Sequence, residues 1–163
     1  MTDKLQIDLV GADALLVQIE RTASRMERPR ELMEAIGAQL EGNVEQRFKS
    51  KTDAAGQAWA PISPTTAEIY ERIHGKAMPG SLLERSGHMR DALAHNATDE
   101  YVEVGFGGSA PYAIYHVTGT KKMPRRDPLF GLVNTEGTQG ELGAQDTQDV
   151  LDLMESFMEG GLR

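Results

Sequence analysis

The chain has 163 residues, a mass of 17.8 kDa and a formal net charge of −8. That length leads one to expect a single domain over 1–163 built on one core, and 39% hydrophobic against 26% charged residues marks it as globular rather than disordered. The absence of cysteine excludes a disulfide scaffold, a thiolate metal site and a cysteine nucleophile, while the acidic balance argues against wholesale nucleic-acid binding, which needs basic residues to neutralise phosphates.

The opening residues, Met1-Thr-Asp-Lys-Leu-Gln-Ile-Asp8, contain no apolar stretch of the kind a secretory leader carries. No run approaches the roughly 20 apolar residues of a membrane span. Leu5, Ile7 and Leu9 alternate with polar neighbours, as in a short half-buried strand. After Gly11, Ala12 to Met26 reads as a helix with Leu15, Leu16, Ile19, Ala23 and Met26 on one side. Residues 1–28 therefore form an N-terminal strand and helix. Pro29 suits the first position of a new helix. Leu32, Ile36, Leu40, Val44 and Phe48 recur every fourth residue, which predicts one long helix over 29–50. Glu31, Glu34, Glu41, Glu45 and Arg47 fall on its other, charged face.

From Lys49 to Ser63 the pattern gives way to a loop with Trp59 as its one large apolar anchor. Thr65 to Ile73, following Pro64, predicts a short helix, and 74–81 a second loop. Met89–Asn96 and Tyr101–Phe106 read as the two strands of a hairpin turning near Thr98-Asp99. Pro111 opens a helical stretch through Val117. Asp127-Pro128 is a cap and first-position pair for a further short helix. Residues 134–145 hold three glycines and no periodicity, and read as a flexible insertion loop. Asp146 caps a last helix with Val150, Met154, Phe157 and Met158 on one face, stopped by Gly160-Gly161. The fold class is α+β: a small antiparallel sheet packed against one long helix, with additional short helices.

Residues that could carry chemistry do not assemble in the sequence. His74, His88, His95 and His116 lack the spacing of a helical zinc site. On the hairpin reading, the odd separation of His88 and His95 points them to opposite faces. Gly105-Phe-Gly-Gly108 lacks the Lys and the helix start of a phosphate loop. Ser86-Gly87-His88 has no nucleophile elbow around it. Tyr115 and His116 could support a small hydrolase, but such a cluster more often packs one helical face against a sheet. On that reading Trp59, Tyr112 and Tyr115 are packing anchors. No catalytic, cofactor-binding or metal-binding residue is assigned, and no cofactor is expected. Asn96-Ala-Thr98 matches a glycosylation sequon, which is incidental without a secretion signal. Lys121, Lys122, Arg125 and Arg126 place four positive charges in six residues of an acidic chain, and read as interface charges for an acidic partner surface.

Several of these segments, in order, resemble a known family. They are Phe48 at the end of the long helix, Trp59-Ala-Pro-Ile with Thr65-Thr66, and Leu82-Leu83-Glu-Arg-Ser-Gly87. They continue with Val102-Glu-Val-Gly105, Tyr112-Ala-Ile-Tyr-His116 with Gly119, Met123-Pro-Arg-Arg126 and Leu129-Phe-Gly131 before the closing helix. The set is similar to the phage virion morphogenesis, or tail completion, proteins of Mu-like tailed phages. The resemblance implies the α+β fold of phage neck and tail-end ring proteins. It also implies a structural role at the head–tail junction or tail end, as a neck, tail completion or tail terminator subunit, and no enzymatic activity. The implied partners are further copies in a ring, commonly sixfold, and other neck, tail tube or connector proteins, with no specific nucleic acid and no membrane. The implied location is the virion, after assembly in the cytoplasm of the bacterial host. A capsid assembly factor not retained at the junction is the alternative. The chain has an Asp127 that the family's usual Pro-x-Arg-Pro-aromatic pattern lacks, and the glycine-rich stretch 134–145 reads as an insertion before the last helix, here expected to act as a contact arm.

Overall fold

Pro29 occupies the first turn of a helix, where its missing N–H leaves no bond unmade, and the helix α1 then runs Pro29–Ser50. Its 22 residues span about 33 Å, and the central hairpin and the C-terminal helix pack against it. In the computed structural model the described residues are 8–9, 15, 17, 19, 21, 28–75, 82–83, 86–129, 132–133 and 139–160. The remaining elements are β1 (Asp8–Leu9), α2 (Pro64–His74), α3 (His88–Asp91), β2 (Leu93–Ala97), β3 (Val102–Phe106), α4 (Ala113–Thr118), β4 (Leu132–Val133), β5 (Gln139–Glu141) and α5 (Ala144–Gly160). The architecture is the α+β one expected.

The apolar stripe of α1 divides between two clusters. Its N-terminal half gives Leu32, Met33 and Ile36 to a cluster shared with Leu15, Ile19, Ala97 and, from α5, Val150 and Met154. Its C-terminal half gives Val44 and Phe48 to a second cluster around Trp59, Met89, Leu93 and Val117. Phe48 lies edge-on to Trp59 at 5.8 Å and to Phe106 at 6.1 Å, the geometry that the ring quadrupoles favour. Gly37 lies where α1 crosses the hairpin. A Cβ there would stand 2.5 Å from the His95 ring and 2.9 Å from Val102, so glycine sets the closeness of helix to sheet. The helix ends at Lys51, whose left-handed backbone (φ 60) lets its N–H bond Arg47 O at 2.8 Å.

β2 and β3 form an antiparallel hairpin in the register Leu93↔Phe106 to Ala97↔Val102. A three-stranded sheet has the order β1-β5-β4, with β1 parallel and β4 antiparallel to β5. Residues 139–141, read as part of a flexible insertion, are thus its central strand, and residues 144–145 already belong to α5. Residues 134–138 of that loop lie outside the described residues. So do residues 5–7 of the N-terminal strand and Leu16, Ala23 and Met26 of the first helix; residues 15, 17, 19 and 21 are helical.

Other expectations are corrected by local hydrogen bonding. Met89–Asp91 is not strand but a short helical turn, entered through Gly87 at φ 78 and closed by Asp91 N–H to Gly87 O (2.9 Å) and Ala92 N–H to His88 O (3.0 Å). Met89 and Leu93 share a face under either period, so the pattern could not choose. His88 and His95 therefore do not lie on one strand. Asp127-Pro128 starts no helix among the described residues. The Asp127 carboxylate instead accepts from Leu129 N–H at 2.7 Å and from Arg125 at 2.8 Å, a side-chain turn competing with helix.

Arg47 is not on a solvated face, and Asp146 is not the cap of the last helix. α5 begins two residues earlier, at Ala144. Asp146, 1% exposed, instead reaches back to α1, where its Oδ1 accepts from Arg47 Nη2 and from Asn43 Nδ2. Arg47 Nη1 also donates to the carbonyls of Pro128 (3.1 Å) and Leu129 (3.3 Å). Asn43 makes a second bond to Asp149 at 2.7 Å. At Gly143 the chain passes so close to the 51–58 loop that a Cβ would meet Ala54 O at 2.5 Å. Met158 is exposed rather than part of the buried face of α5.

Removing one partner of a buried ion pair strands the other charge. Asp146→Ala is expected to lose about 3–5 kcal/mol of stability. Asp149→Ala, which leaves the Arg47 pair intact, should lose about 1 kcal/mol or less. Urea unfolding of both variants checks this, and equal losses would remove Arg47–Asp146 from its central place.

Candidate assembly surface

The surface segment from Pro111 to Leu129 is held down by small residues and held in shape by glycine. α4 packs through Ala113 and Val117, both fully buried. Tyr112 and Tyr115 are not the packing anchors expected. They are 38% and 57% exposed, because residues one and two positions from 113 turn off the buried face of a helix. Trp59 by contrast is buried, with its Nε1–H donating to Asp127 O at 3.4 Å. Gly119 ends α4 at φ 74, where a Cβ would stand 2.9 Å from Arg125 N. The chain doubles back there through the Thr120↔Met123 bridge, with Lys121 and Lys122 exposed at its tip.

The four basic residues divide. Lys121 and Lys122 face solvent. Arg125 lies over Asp127. Arg126 is buried, donating through Nε to Ala60 O (2.7 Å) and through Nη2 to Pro61 O (2.8 Å). It clamps the Trp59 loop, so it is not available as an interface charge. Sequence cannot distinguish these arginines from the lysines, since the distinction lies in which loop carbonyls the fold brings to them.

His116 sits beneath this loop. Its carbonyl accepts from Arg126 N–H at 2.8 Å and its ring lies edge-on to Tyr112 at 6.3 Å. Its Nδ1 is buried and has no hydrogen-bond partner among the described residues. Burial, and then the charge of Arg126, hold its pKa below the ordinary 6.5. The ring partner is Tyr112 rather than Tyr115, so the pair considered for hydrolysis is not brought together in that way. Among the described residues no group of three or more His, Cys, Asp or Glu could hold a metal ion, and no helix is long and apolar enough to cross a membrane.

Other large apolar side chains are also left uncovered by the described residues. α2 is capped by Ser63 Oγ accepting from Thr66 N–H at 3.2 Å, yet it buries no residue. Ile69 and Ile73 are 43% and 67% exposed. Tyr101 at the hairpin turn is half exposed. Singly such residues are ordinary; an apolar helix face with nothing buried is not.

The lowered His116 pKa has a definite sign. The unfolded chain takes up the proton first as pH falls, so stability from this group is complete above about pH 6.5 and declines below it, down to the folded value. Urea midpoints at about pH 7.5 and 5.5 should fall further in the wild type than in His116→Gln. Parallel profiles would show that His116 is not strained by protonation.

The model of the phage virion morphogenesis family matches residues 10–159. No curated protein and no solved structure matches the chain. The match runs from before α1 to the last turn of α5, and so takes in both core clusters, the Arg47 network and the basic turn. The chain belongs to the phage virion morphogenesis family.

Proposed function

We propose that the protein is a structural ring subunit of the virion at the head–tail junction or tail end, acting through protein–protein assembly as a neck, tail completion or tail terminator component. Membership of the family gives a structural or morphogenetic role in phage and contact with other phage structural proteins. The observation that carries the finer reading is the surface. A chain of this size leaves Ile69, Ile73, Tyr101, Tyr112 and Tyr115 exposed, and apolar surface rimmed by charge is what subunit contacts use. The acidic balance suits a subunit lining a passage for DNA, since it repels rather than holds the duplex. Further copies and neighbouring neck, tail tube or connector proteins are the partners.

Mass photometry of the purified protein should give one defined oligomer, and mass spectrometry of purified particles should find the protein in them. Deletion should leave filled heads beside free tails. Missing or aberrant heads would instead make it a capsid assembly factor, and absence from particles would make it a transient one. Because α2 buries nothing, Ile69→Ser with Ile73→Ser should change monomer stability by only about 0.5 kcal/mol. The same double variant should reduce incorporation into particles several-fold. Full incorporation would take α2 out of the contact surface.

A further inference from the structure

The β2–β3 hairpin has an unfinished edge. In its register, Thr98 N–H bonds Tyr101 O and Gly107 N–H bonds Ala92 O. Hydrogen-bonded pairs alternate in an antiparallel ladder. The bonded pairs are therefore Ala94 with Gly105 and Asn96 with Glu103, and the backbone N–H and C=O of Val102, Val104 and Phe106 point away from β2. Among the described residues nothing bonds them.

The two strands are also unequally covered. On the face toward α1, Leu93 and Ala97 of β2 are buried, whereas their cross-strand partners Phe106 and Val102 are only partly so, as is Val104. β2 lies within the core and β3 at its margin. The margin carries no proline, no lysine and no bulge, and its one charged residue is the exposed Glu103. Its flank is acidic, with Asp99, Glu100 and Glu103 all exposed next to exposed Tyr101. The same chain displays the opposite charge elsewhere, at Lys121 and Lys122 on the tip of the Thr120–Met123 turn.

We infer that the outer edge of β3, with its acidic flank Asp99, Glu100 and Glu103, is the docking site for the basic Thr120–Met123 turn of a second copy of this chain. The inference rests on the ring reading above and deepens it by naming both halves of the contact. The ring reading makes the contact heterologous, each copy offering an edge to one neighbour and a turn to the other; a reciprocal pairing of both halves would give a discrete two-fold dimer instead, and finding one overturns the ring. Heterologous contacts close into rings or run on as filaments. The opposed charges set the register, and the edge amides of β3 gain acceptors.

Charge exchange tests this in the full chain. Glu100→Lys with Glu103→Lys should weaken self-association roughly tenfold at low salt, and Lys121→Glu with Lys122→Glu should do the same. Combining all four substitutions in one chain should restore it, as should mixing the two double variants, whose surviving and reversed halves match. Glu45→Lys with Glu155→Lys shifts the net charge by the same amount as the first pair at exposed sites elsewhere, and should leave association unchanged. Circular dichroism keeps loss of folding apart from loss of contact. Amide exchange in the 101–107 segment should slow on assembly of the wild type. Unchanged self-association after either charge reversal, or a wild type that assembles without slowing of those amides, overturns this contact and leaves the ring reading standing. A wild type that stays monomeric overturns both.

Discussion

The Arg47–Asp146 pair is the constraint on which the described structure turns. It lies where three parts of the chain meet: the C-terminal half of α1, the 128–129 segment and the first turn of α5. A buried guanidinium has several donors to satisfy and tolerates few geometries. Satisfying them fixes how α5 lies along α1 and where the chain turns after the basic loop. Asn43 widens the junction by bridging Asp146 and Asp149. Two apolar clusters could slide relative to one another without much loss; a buried charge with fixed acceptors cannot.

The parts of the fold that were legible in the sequence are those set by local periodicity. The Leu32-Ile36-Leu40-Val44-Phe48 stripe marks α1, and the Val102-Val104-Phe106 alternation marks β3, because side-chain direction there follows directly from backbone repeat. What was illegible depended on distant partners. Arg47 occupies a position like any exposed charge, and only the approach of residues 128–129 and Asp146 makes it internal. Asp127 has the residue type of a helix cap, but Arg125 and Leu129 N–H claim its oxygens first. Tyr112 and Tyr115 look like anchors because they are aromatic, yet the helix turns Ala113 and Val117 inward. At the candidate surface the same division holds: the charge of the 121–126 cluster can be read from sequence, while its separation into exposed lysines and clamped arginines cannot.

Taken together, the molecule has a rigid interior and a surface with unsatisfied demands. The interior is specified by ion pair, close glycine contacts and edge-on aromatics. The surface offers an apolar helix face, outward tyrosines and a strand edge. Small monomeric domains generally cover or charge such features, so their retention in a protein of the virion morphogenesis family fits a subunit that completes its structure through neighbours.

The single Trp59 gives this arrangement its own reporter. It is wedged against Phe48 and hydrogen-bonded to Asp127 O, under a loop that Arg126 pins by two carbonyls. Its indole environment is therefore tied to the seating of the Arg126 segment and, through Phe48, to the core face of β3. Intrinsic fluorescence excited at the indole reports the packing at that junction, against no background from other tryptophans. Packing around Trp59 and subunit contact can thus be followed as separate optical and mass signals in the unlabelled protein.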